Sequence, residues 1–504
     1  MPTRSRLEFD VEFGRLPSGR PRTPQGPMRL LLFGDFSGRG PRGIGDAATL
    51  SQRRLHRIDL DTVEQVLTRI APQVPLPADP PGSAALLDFG SLDDLHPDRL
   101  YERVPIFARL RELRTALLDP VSFERAAQEL RALGLARTAA DAAPGPVPAG
   151  DESDSGMLQR LLASAPSDAG PRAIRGVDAL IRDTVTPHIV TGSSPHQAIY
   201  LAEIDGLITQ RMRWLLNTPA FRTVETAWRG VQWLVSNLEL NEDLQLYLLD
   251  LTREELAADL HGAQDDALRS GLSRVLCAPD DDQGPRWTLL AGLFSVCPTV
   301  DDLTLLSALG TIAAQAGGPV VMAAAPALFG CGSVADLPEP RQWQPMATDL
   351  SQRWSELRHS AIAPWMGLVA PRVLLRLPYG KGADPTERFA FEEQPATPEH
   401  ETLLWGPGSL VVALLLGQAF GEGGWELAAN PGLALDGLPA YTFQRDGEVQ
   451  LQPCGEAYLG ERAGLALLAN GVMPLLSDRQ SATARLMRMQ SVGEPAQPLA
   501  GPRS

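Results

Sequence analysis

The chain has 504 residues, of which 44% are hydrophobic and 21% charged, an ordinary composition for a globular protein. A chain of this length is usually too long to fold around a single hydrophobic core, so at least two domains are expected. With 61 acidic against 45 basic residues, the formal net charge is −16, which argues against a general nucleic-acid-binding surface. The four cysteines form no CxxC pair and indicate reduced thiols in a cytoplasmic protein, not a disulfide framework or a zinc site.

The first residues carry charges of both signs and lack the apolar run of a signal peptide. One uncharged segment, between Asp302 and Asp336, is long enough to span a bilayer. Its many alanines and the break at 317–319 (GGP) make it only weakly hydrophobic. The pattern predicts a helix over 303–316, a turn and a buried strand over 320–325, and we expect no membrane insertion.

The N-terminal part, residues 1–135, has the pattern of a small α/β domain. The apolar run 28–33 predicts a buried strand. Apolar side chains at helical spacing predict one helix over 60–70 and another over 104–117. Residues 136–156 consist mainly of Ala, Pro, Gly, Ser and Asp, and they predict a flexible linker because they offer little apolar surface to bury.

The following part, residues 157–490, resumes the pattern of a globular domain. A Thr-Pro pair at 218–219 predicts an N-cap and the first residue of a helix. Alternating side chains over 244–248 predict a half-buried strand, and the capping box at 252–255 opens the next helix. This succession indicates a mixed α/β fold with sheets flanked by helices, whereas residues 491–504 are expected to be disordered.

Three short motifs suggest chemistry, but the residues around each argue against it. The GxGxxG motif at 38–43 contains a proline where a dinucleotide site needs a helix to start, so a surface loop is the better interpretation. The pair 400–401 (HE) begins a zinc-protease motif, but Leu404 occupies the position of the second histidine. The triplet 280–282 (DDD) lacks further ligands at calcium-loop spacing. We therefore assign no catalytic, metal or cofactor residue and expect no enzyme, although a site assembled from distant residues stays an alternative.

Several blocks of residues 157–490 occur in a distinctive order. The blocks are 216–235 (LNTPAFRTVETAWRGVQWLV), 371–380 (PRVLLRLPYG), 391–393 (FEE), 404–406 (LWG), 424–425 (GW), 438–443 and 471–475. Together they closely resemble the large subunit of type VI secretion contractile sheaths. The residues that carry this family signature are Trp228, Arg229, Gly230, Pro371, Arg372, Leu377, Pro378, Glu392, Glu393, Trp405 and Gly406.

The N-terminal part resembles the small sheath subunit. The resemblance lies in the segments 28–39 (MRLLLFGDFSGR), 58–67 and 89–98 (FGSLDDLHPD). It places the GxGxxG motif in a structural loop of the family. The chain is therefore identified as a small sheath subunit fused to a large one.

This resemblance implies a structural, non-enzymatic function in the cytoplasm. In the family, small and large subunits pair and assemble into a contractile tube. The implied partners are other sheath subunits, the inner-tube protein, baseplate components and a hexameric AAA+ unfoldase that recycles contracted sheath. Neither a cofactor nor nucleic acid is implied. The alternative is a sheath-derived adaptor or capping protein of the same apparatus that does not polymerise.

A candidate unfoldase-binding helix lies directly after the predicted linker. Met157, Leu158, Leu161 and Leu162 form an apolar stripe where large subunits of the family carry the helix that the unfoldase grips. The competing interpretation is a helix packed on its own domain, since a four-residue stripe is common.

Two features depart from the family pattern. A segment that is acidic in the family is Gly292-Leu293-Phe294 here. The resemblance also stops near residue 475, before the C-terminal region that contributes to strand exchange in full-length large subunits. On this ground the sequence leaves open whether the chain polymerises alone, is completed by a separate polypeptide, or acts as an accessory piece.

Overall fold

The computed structural model describes residues 26–76, 85–132, 195–263, 266–277, 287–395, 399–429, 431–445, 448–477 and 482–502. Its helices are α1 (Val63–Ile70), α2 (Pro97–Arg103), α3 (Pro105–Leu118), α4 (Phe123–Ala132), α5 (Pro195–Leu216), α6 (Pro219–Asn237), α7 (Arg253–Gly262), α8 (Gly271–Leu276), α9 (Val300–Ala316), α10 (Thr348–Arg358), α11 (Ser409–Ala429) and α12 (Glu461–Ala469). Its strands are β1 (Met28–Gly34), β2 (His56–Ile58), β3 (Gln73–Leu76), β4 (Ala85–Asp88), β5 (Leu244–Asp250), β6 (Leu289–Val296), β7 (Val320–Ala324), β8 (Met366–Ala370), β9 (Val373–Leu374), β10 (Trp405–Gly406), β11 (Ala434–Leu435), β12 (Tyr441–Arg445), β13 (Glu448–Gln452), β14 (Val472–Ser477) and β15 (Ala484–Leu486).

A nine-stranded mixed sheet organises the fold, in the order β11-β15-β14-β8-β7-β6-β1-β5-β2. The six strands from β14 to β5 in this order run parallel to their neighbours, and antiparallel strands finish both edges. Strand β1 pairs with β5 along its whole length and with β6 over four residues. Apart from the half-buried Arg29, its side chains are apolar on both faces because a central parallel strand is covered from both sides.

Helices cover this sheet with apolar surface. Helices α9, α10 and α12 contribute to one large core cluster together with buried side chains of β6, β7 and β8. Helices α6 and α11 pack against each other, and α11 also contacts β1, β5, β6 and β7. Helix α11 is almost wholly apolar over its first three turns, as expected of a helix buried on all sides.

Counting only the described residues within each range, the chain forms two compact units. The first comprises Met1–His96, Leu216–Pro385 and Glu392–Ser504, and it contains the nine-stranded sheet. The second comprises Pro97–Leu215 and Thr386–Phe391. Inside the second unit, an ion pair joins Arg114 Nε to Asp205 Oδ1 at 2.7 Å.

These units differ from the predicted division into residues 1–135 and 157–490. Because β1 hydrogen-bonds between β5 and β6, the first strand of the N-terminal part lies inside the sheet of the following part. The predicted linker 136–156 lies outside the described residues.

Several local predictions are confirmed. Helix α9 and strand β7 match the helix and buried strand predicted over 303–316 and 320–325. Among the described residues, no helix is long and apolar enough to cross a membrane. Strand β5 was expected to be half-buried, but five of its seven residues are buried, including the polar Gln245, which is only 9% exposed.

The prediction of a disordered tail at 491–504 is wrong for residues 491–502. Val492 is fully buried and Leu499 is 3% exposed. The N–H of Val492 donates to the Met366 carbonyl, and the N–H of Ala500 donates to the Pro364 carbonyl. The polar, Pro-rich composition suggested disorder, but these two apolar anchors and their backbone bonds order the segment.

Candidate functional site: two buried ion-pair networks

Helix α6 carries the first part of the family signature, and its start is fixed locally. The Thr218 hydroxyl accepts the N–H of Phe221 at 3.4 Å, and Pro219 occupies the first helical position. The apolar stripe of this helix is buried, and its members are Phe221, Val224, Trp228, Val231 and Val235. At Gly230 an added Cβ would lie 2.8 Å from a methyl group of Leu410, so the glycine permits close packing of α6 on α11.

Arg376 stands at the centre of the first network, which we call the signature network. Its Nε donates to Glu225 Oε1 at 2.7 Å, and its Nη1 donates to Glu393 Oε2 at 2.7 Å. The side chains of Glu225 and Glu393 are 0% and 2% exposed, so both carboxylates depend on this guanidinium for charge compensation.

Tyr379 completes the signature network. Its ring centroid lies 4.1 Å from the guanidinium carbon of Arg376, a cation–π contact. The phenol oxygen accepts from Arg229 Nη2 at 2.9 Å, and the backbone N–H of Tyr379 donates to Glu393 at 2.8 Å. The network thus ties α6 to the segment 371–380 and to Glu393.

The charges of this network are fixed. Burial disfavours the charged form of Arg376, but Glu225 and Glu393 more than offset burial and raise its pKa well above the ordinary value. Burial also raises the pKa of Tyr379, against the effect of Arg376 and Arg229. Arg376 is therefore a permanent cation, which suits a structural role and not proton transfer.

Arg372 connects the signature segment 371–380 to Glu456, which lies later in the chain. Its Nε donates to Glu456 Oε2 at 2.8 Å, and His400 Nε2 lies 3.1 Å from Glu456 Oε1. Trp405 stacks on His400 with ring centroids 5.1 Å apart and donates its indole N–H to the His400 carbonyl. Burial raises the pKa of Glu456, but the bonds from Arg372 and His400 lower it below the ordinary value.

The remaining signature residues occupy supporting positions. Pro371 and Pro378 are buried, Leu377 is half-buried and offers its carbonyl to Arg376, and Gly406 pairs with Val373 between β10 and β9. Glu392 is exposed and accepts the N–H of Lys381. Met157, Leu158, Leu161 and Leu162 lie outside the described residues.

Glu255 is the centre of the second network, which we call the junction network because it joins the two parts of the chain. Arg53 Nη1 donates to its Oε2 at 2.7 Å, and Arg39 Nη2 donates to its Oε1 at 2.8 Å. The backbone N–H groups of Asp46 and Thr252 also donate to this carboxylate, both at 3.0 Å. Burial raises the pKa of Glu255, but these hydrogen bonds outweigh burial and lower it to about 2.

The GxGxxG motif of the sequence lies beside the junction network. Its backbone N–H groups, which could bind an anion, already donate to a carboxylate of the chain. The N–H groups of Arg39 and Gly40 donate to the Asp35 carboxylate, both at 2.8 Å. No helix opens at the motif, so the loop predicted there is confirmed. An internal carboxylate thus occupies the position that a dinucleotide site would leave for a phosphate.

Sequence reasoning singled out the right segments but not the residues that join them. Arg376 and Tyr379 stood in a recognised block without an assigned role, and Glu255 was seen only as part of a capping box. Its bonds to Arg39 and Arg53 link positions about 200 residues apart. The available signal was the presence of Arg and Glu inside otherwise apolar segments, since buried charges are retained only with partners.

Both parts of the chain match family models. Residues 198–493 match the model described as EvpB/VC_A0108, tail sheath N-terminal domain (VipB). Residues 2–132 match the model described as Type VI secretion system, VipA, VC_A0107 or Hcp2. The chain is also 30% identical over 305 residues to the type VI secretion system sheath protein TssC1 of Pseudomonas aeruginosa.

The match to TssC1 covers 59% of this chain and 61% of that protein. The VipB match alone extends over more than half of the chain, and the VipA match precedes it in the order that the sequence predicts. The chain therefore belongs to the tail sheath protein family of type VI secretion systems, with a small-subunit-like part joined to a large-subunit-like part.

Proposed function

We propose that the chain is a structural subunit of a type VI secretion contractile sheath in which small and large sheath subunits are combined in one polypeptide. The observation that carries this proposal is the position of β1, a strand of the small-subunit-like part, between β5 and β6 of the large-subunit-like part. A subunit that transmits force needs its parts to move as one body, and shared strands provide this because main-chain hydrogen bonds join them.

The junction network supports the same function. Glu255 holds the loop around Arg39 and Arg53 on the start of α7, and burial keeps water away from these ion pairs. The proposed subunit performs no catalysis and works in the cytoplasm. Repeated contacts between subunits that do not close on themselves generate a helical tube.

The proposed partners follow from this function. They are other sheath subunits, an inner-tube protein around which the tube forms, baseplate components, and an AAA+ unfoldase that binds the segment carrying Met157, Leu158, Leu161 and Leu162. For the last partner, Leu158→Asp should abolish capture by the unfoldase, and unchanged capture would dismiss this site.

Electron microscopy of the purified chain, alone and co-expressed with the neighbouring gene products, tests the function. Tubes are the expected result. Their absence under every co-expression condition would exclude a polymerising sheath subunit.

The shared sheet has a separate test. A protease site inserted between residues 140 and 150 should yield two fragments that stay together on native size exclusion and separate only in denaturant. Fragments that separate in native buffer would contradict the pairing of β1 with β5 and β6.

A further inference from the structure

The connections of the sheet diverge between β1 and β6. From β1 the chain continues to β2 and later to β5, both on one side of β1 in the sheet, whereas from β6 it continues to β7 on the other side. In parallel α/β sheets, ligands bind in the crevice outside the carboxyl ends of the strands at such a point. The end of β1 at Gly34 and the middle of β6 are therefore the first place to look for a ligand.

A cleft of about 370 Å³ lies at this point. Asp35, which directly follows β1, and residues 293–295 of β6 contribute to its wall. Three arginines also line it, Arg222 from α6, Arg253 from the start of α7, and Arg372 from the segment after β8. Three guanidinium groups around one cleft are notable in a chain with a net charge of −16.

Two of the three arginines are neutralised by carboxylates of the chain. Arg253 pairs with Asp302, and Arg372 pairs with Glu456. Each of these carboxylates is almost completely buried, so the two pairs form part of the folded framework. The positive charges of Arg253 and Arg372 are therefore largely compensated within the chain and offer little attraction to an anionic ligand.

Arg222 differs from both. Its Nη atoms donate to the carbonyls of Glu401 and Leu403 and to the side-chain oxygen of Asn217, which are neutral acceptors. Within the described part of the chain, no carboxylate lies within 4.0 Å of its guanidinium nitrogens. An arginine stays charged at neutral pH even when partly buried, so the cleft contains one positive charge without a paired carboxylate.

The other lining residues favour a peptide over a free ion. Leu293, Phe294, Trp405 and Pro407 give the cleft apolar surface. The carboxylate of Asp35 is held by the N–H groups of its own loop. An acidic residue next to an apolar one satisfies both the charge and the apolar wall, whereas an inorganic anion satisfies only the charge.

We propose that this cleft binds an acidic peptide segment of a partner protein, with one carboxylate on Arg222 and an adjacent apolar side chain against Phe294 and Trp405. Charge complementarity supports this occupant, since carboxylates outnumber basic groups by 16 in each copy of the chain and a neighbouring subunit presents them in excess. The proposal deepens the proposed sheath function by adding a contact between subunits, and its test does not require tubes.

The test measures binding of a fluorescein-labelled peptide of alternating Glu and Leu to the full chain by fluorescence anisotropy. Binding should weaken as NaCl is added, and a peptide with Gln in place of Glu should bind at least about tenfold more weakly, because a charge-assisted hydrogen bond is lost. Arg222→Gln should weaken binding of the Glu peptide by a similar factor. Arg353→Gln, at an exposed position on α10, is the matched control and should bind as the unchanged chain does.

A second variant covers the case in which Arg222→Gln fails to fold. Thr226→Glu places a carboxylate in the cleft and leaves Arg222 and its bonds in place. It should abolish peptide binding, whereas Thr304→Glu on the exposed face of α9 should not.

Three results would overturn the proposal: equal binding by the Glu and Gln peptides, unchanged binding by the folded cleft variants, or displacement of the peptide by inorganic phosphate as efficient as by unlabelled peptide. The last result would indicate a simple anion site. Loss of tubes with peptide binding intact would contradict only the sheath function. Intact tubes without peptide binding would contradict only this inference.

Discussion

The indole N–H of Trp228 donates to the backbone carbonyl of Phe36 at 2.8 Å, and the two rings meet edge to face with centroids 5.9 Å apart. Both side chains are fully buried. Phe36 belongs to the small-subunit-like part and Trp228 to the signature helix of the large-subunit-like part. The contact with Phe36 therefore gives Trp228, a signature residue of the large-subunit-like part, a role in binding the small-subunit-like part.

Trp228→Phe should lower the free energy of unfolding by about 1–3 kcal/mol. The substitution removes the indole N–H and leaves the Phe36 carbonyl buried without that donor, and an unsatisfied buried acceptor costs about this much. Urea unfolding followed by circular dichroism measures the loss. The control is Trp214→Phe, at an exposed position on α5, which should change the unfolding midpoint little. Equal midpoints for both variants would show that this hydrogen bond contributes nothing measurable.

The fold was predictable where local signals determine it. The apolar run 28–33, the Thr218 cap and the capping box at 252–255 all become the expected elements, because neighbouring residues alone decide them. The insertion of β1 between β5 and β6 was not predictable from those signals. Its partners lie more than 200 residues away, and a continuous apolar run carries no information about which strands pair with it.

Arg376→Met should destabilise the protein by about 3–5 kcal/mol, the usual cost of removing one partner from a buried ion pair. The carboxylates of Glu225 and Glu393 would stay buried without their cation. Thermal unfolding monitored by circular dichroism detects a loss of this size. Arg353→Met on the exposed face of α10 serves as the control and should melt as the unchanged chain does.

Neutralising the two carboxylates tests the cause of that loss. Adding Glu225→Gln and Glu393→Gln to Arg376→Met removes the uncompensated charges, so the triple variant should recover part of the stability. A triple variant that is less stable than Arg376→Met would instead attribute the loss to packing around Tyr379.

Two glycines of the GxGxxG loop allow a matched comparison. Gly38 and Gly43 both have left-handed backbone, with φ of +70° and +67°, so an alanine strains either position similarly. At Gly38 an added Cβ would also collide with the carbonyl oxygen of Gln73, whereas at Gly43 nothing lies within 4 Å. Gly38→Ala should therefore lower the melting temperature clearly more than Gly43→Ala. Equal effects would mean that the loop shifts to accommodate the methyl group.

The candidate site was less predictable than the fold, for a physical reason. Buried charges such as Glu225 and Glu255 are stable only with partners, but the sequence does not state which arginines those partners are. Arg39 stands in the predicted surface loop at 38–43, and Arg53 directly follows the short 3-10 helix Ala47–Gln52. Only folding brings Arg39 and Arg53 next to the carboxylate of Glu255, which lies about two hundred residues later in the sequence.

The stability of the protein should depend on pH through Glu255. Its pKa is about 2 in the folded chain, below the ordinary value of 4.5, so its ion pairs contribute fully above about pH 4.5 and are lost as the pH falls toward 2. Glu255→Gln removes this dependence. The difference in free energy of unfolding between the unchanged chain and Glu255→Gln should therefore shrink by about 2 kcal/mol between pH 5 and pH 3.

Urea titrations of both chains at several pH values measure this difference. Glu254→Gln, at the exposed neighbouring position, is the control and should follow the unchanged chain. A difference that stays constant with pH would mean that Glu255 titrates alike in the folded and unfolded chain. In that case the bonds from Arg39 and Arg53 would not selectively stabilise the carboxylate, and the junction network would hold the two parts together through packing alone.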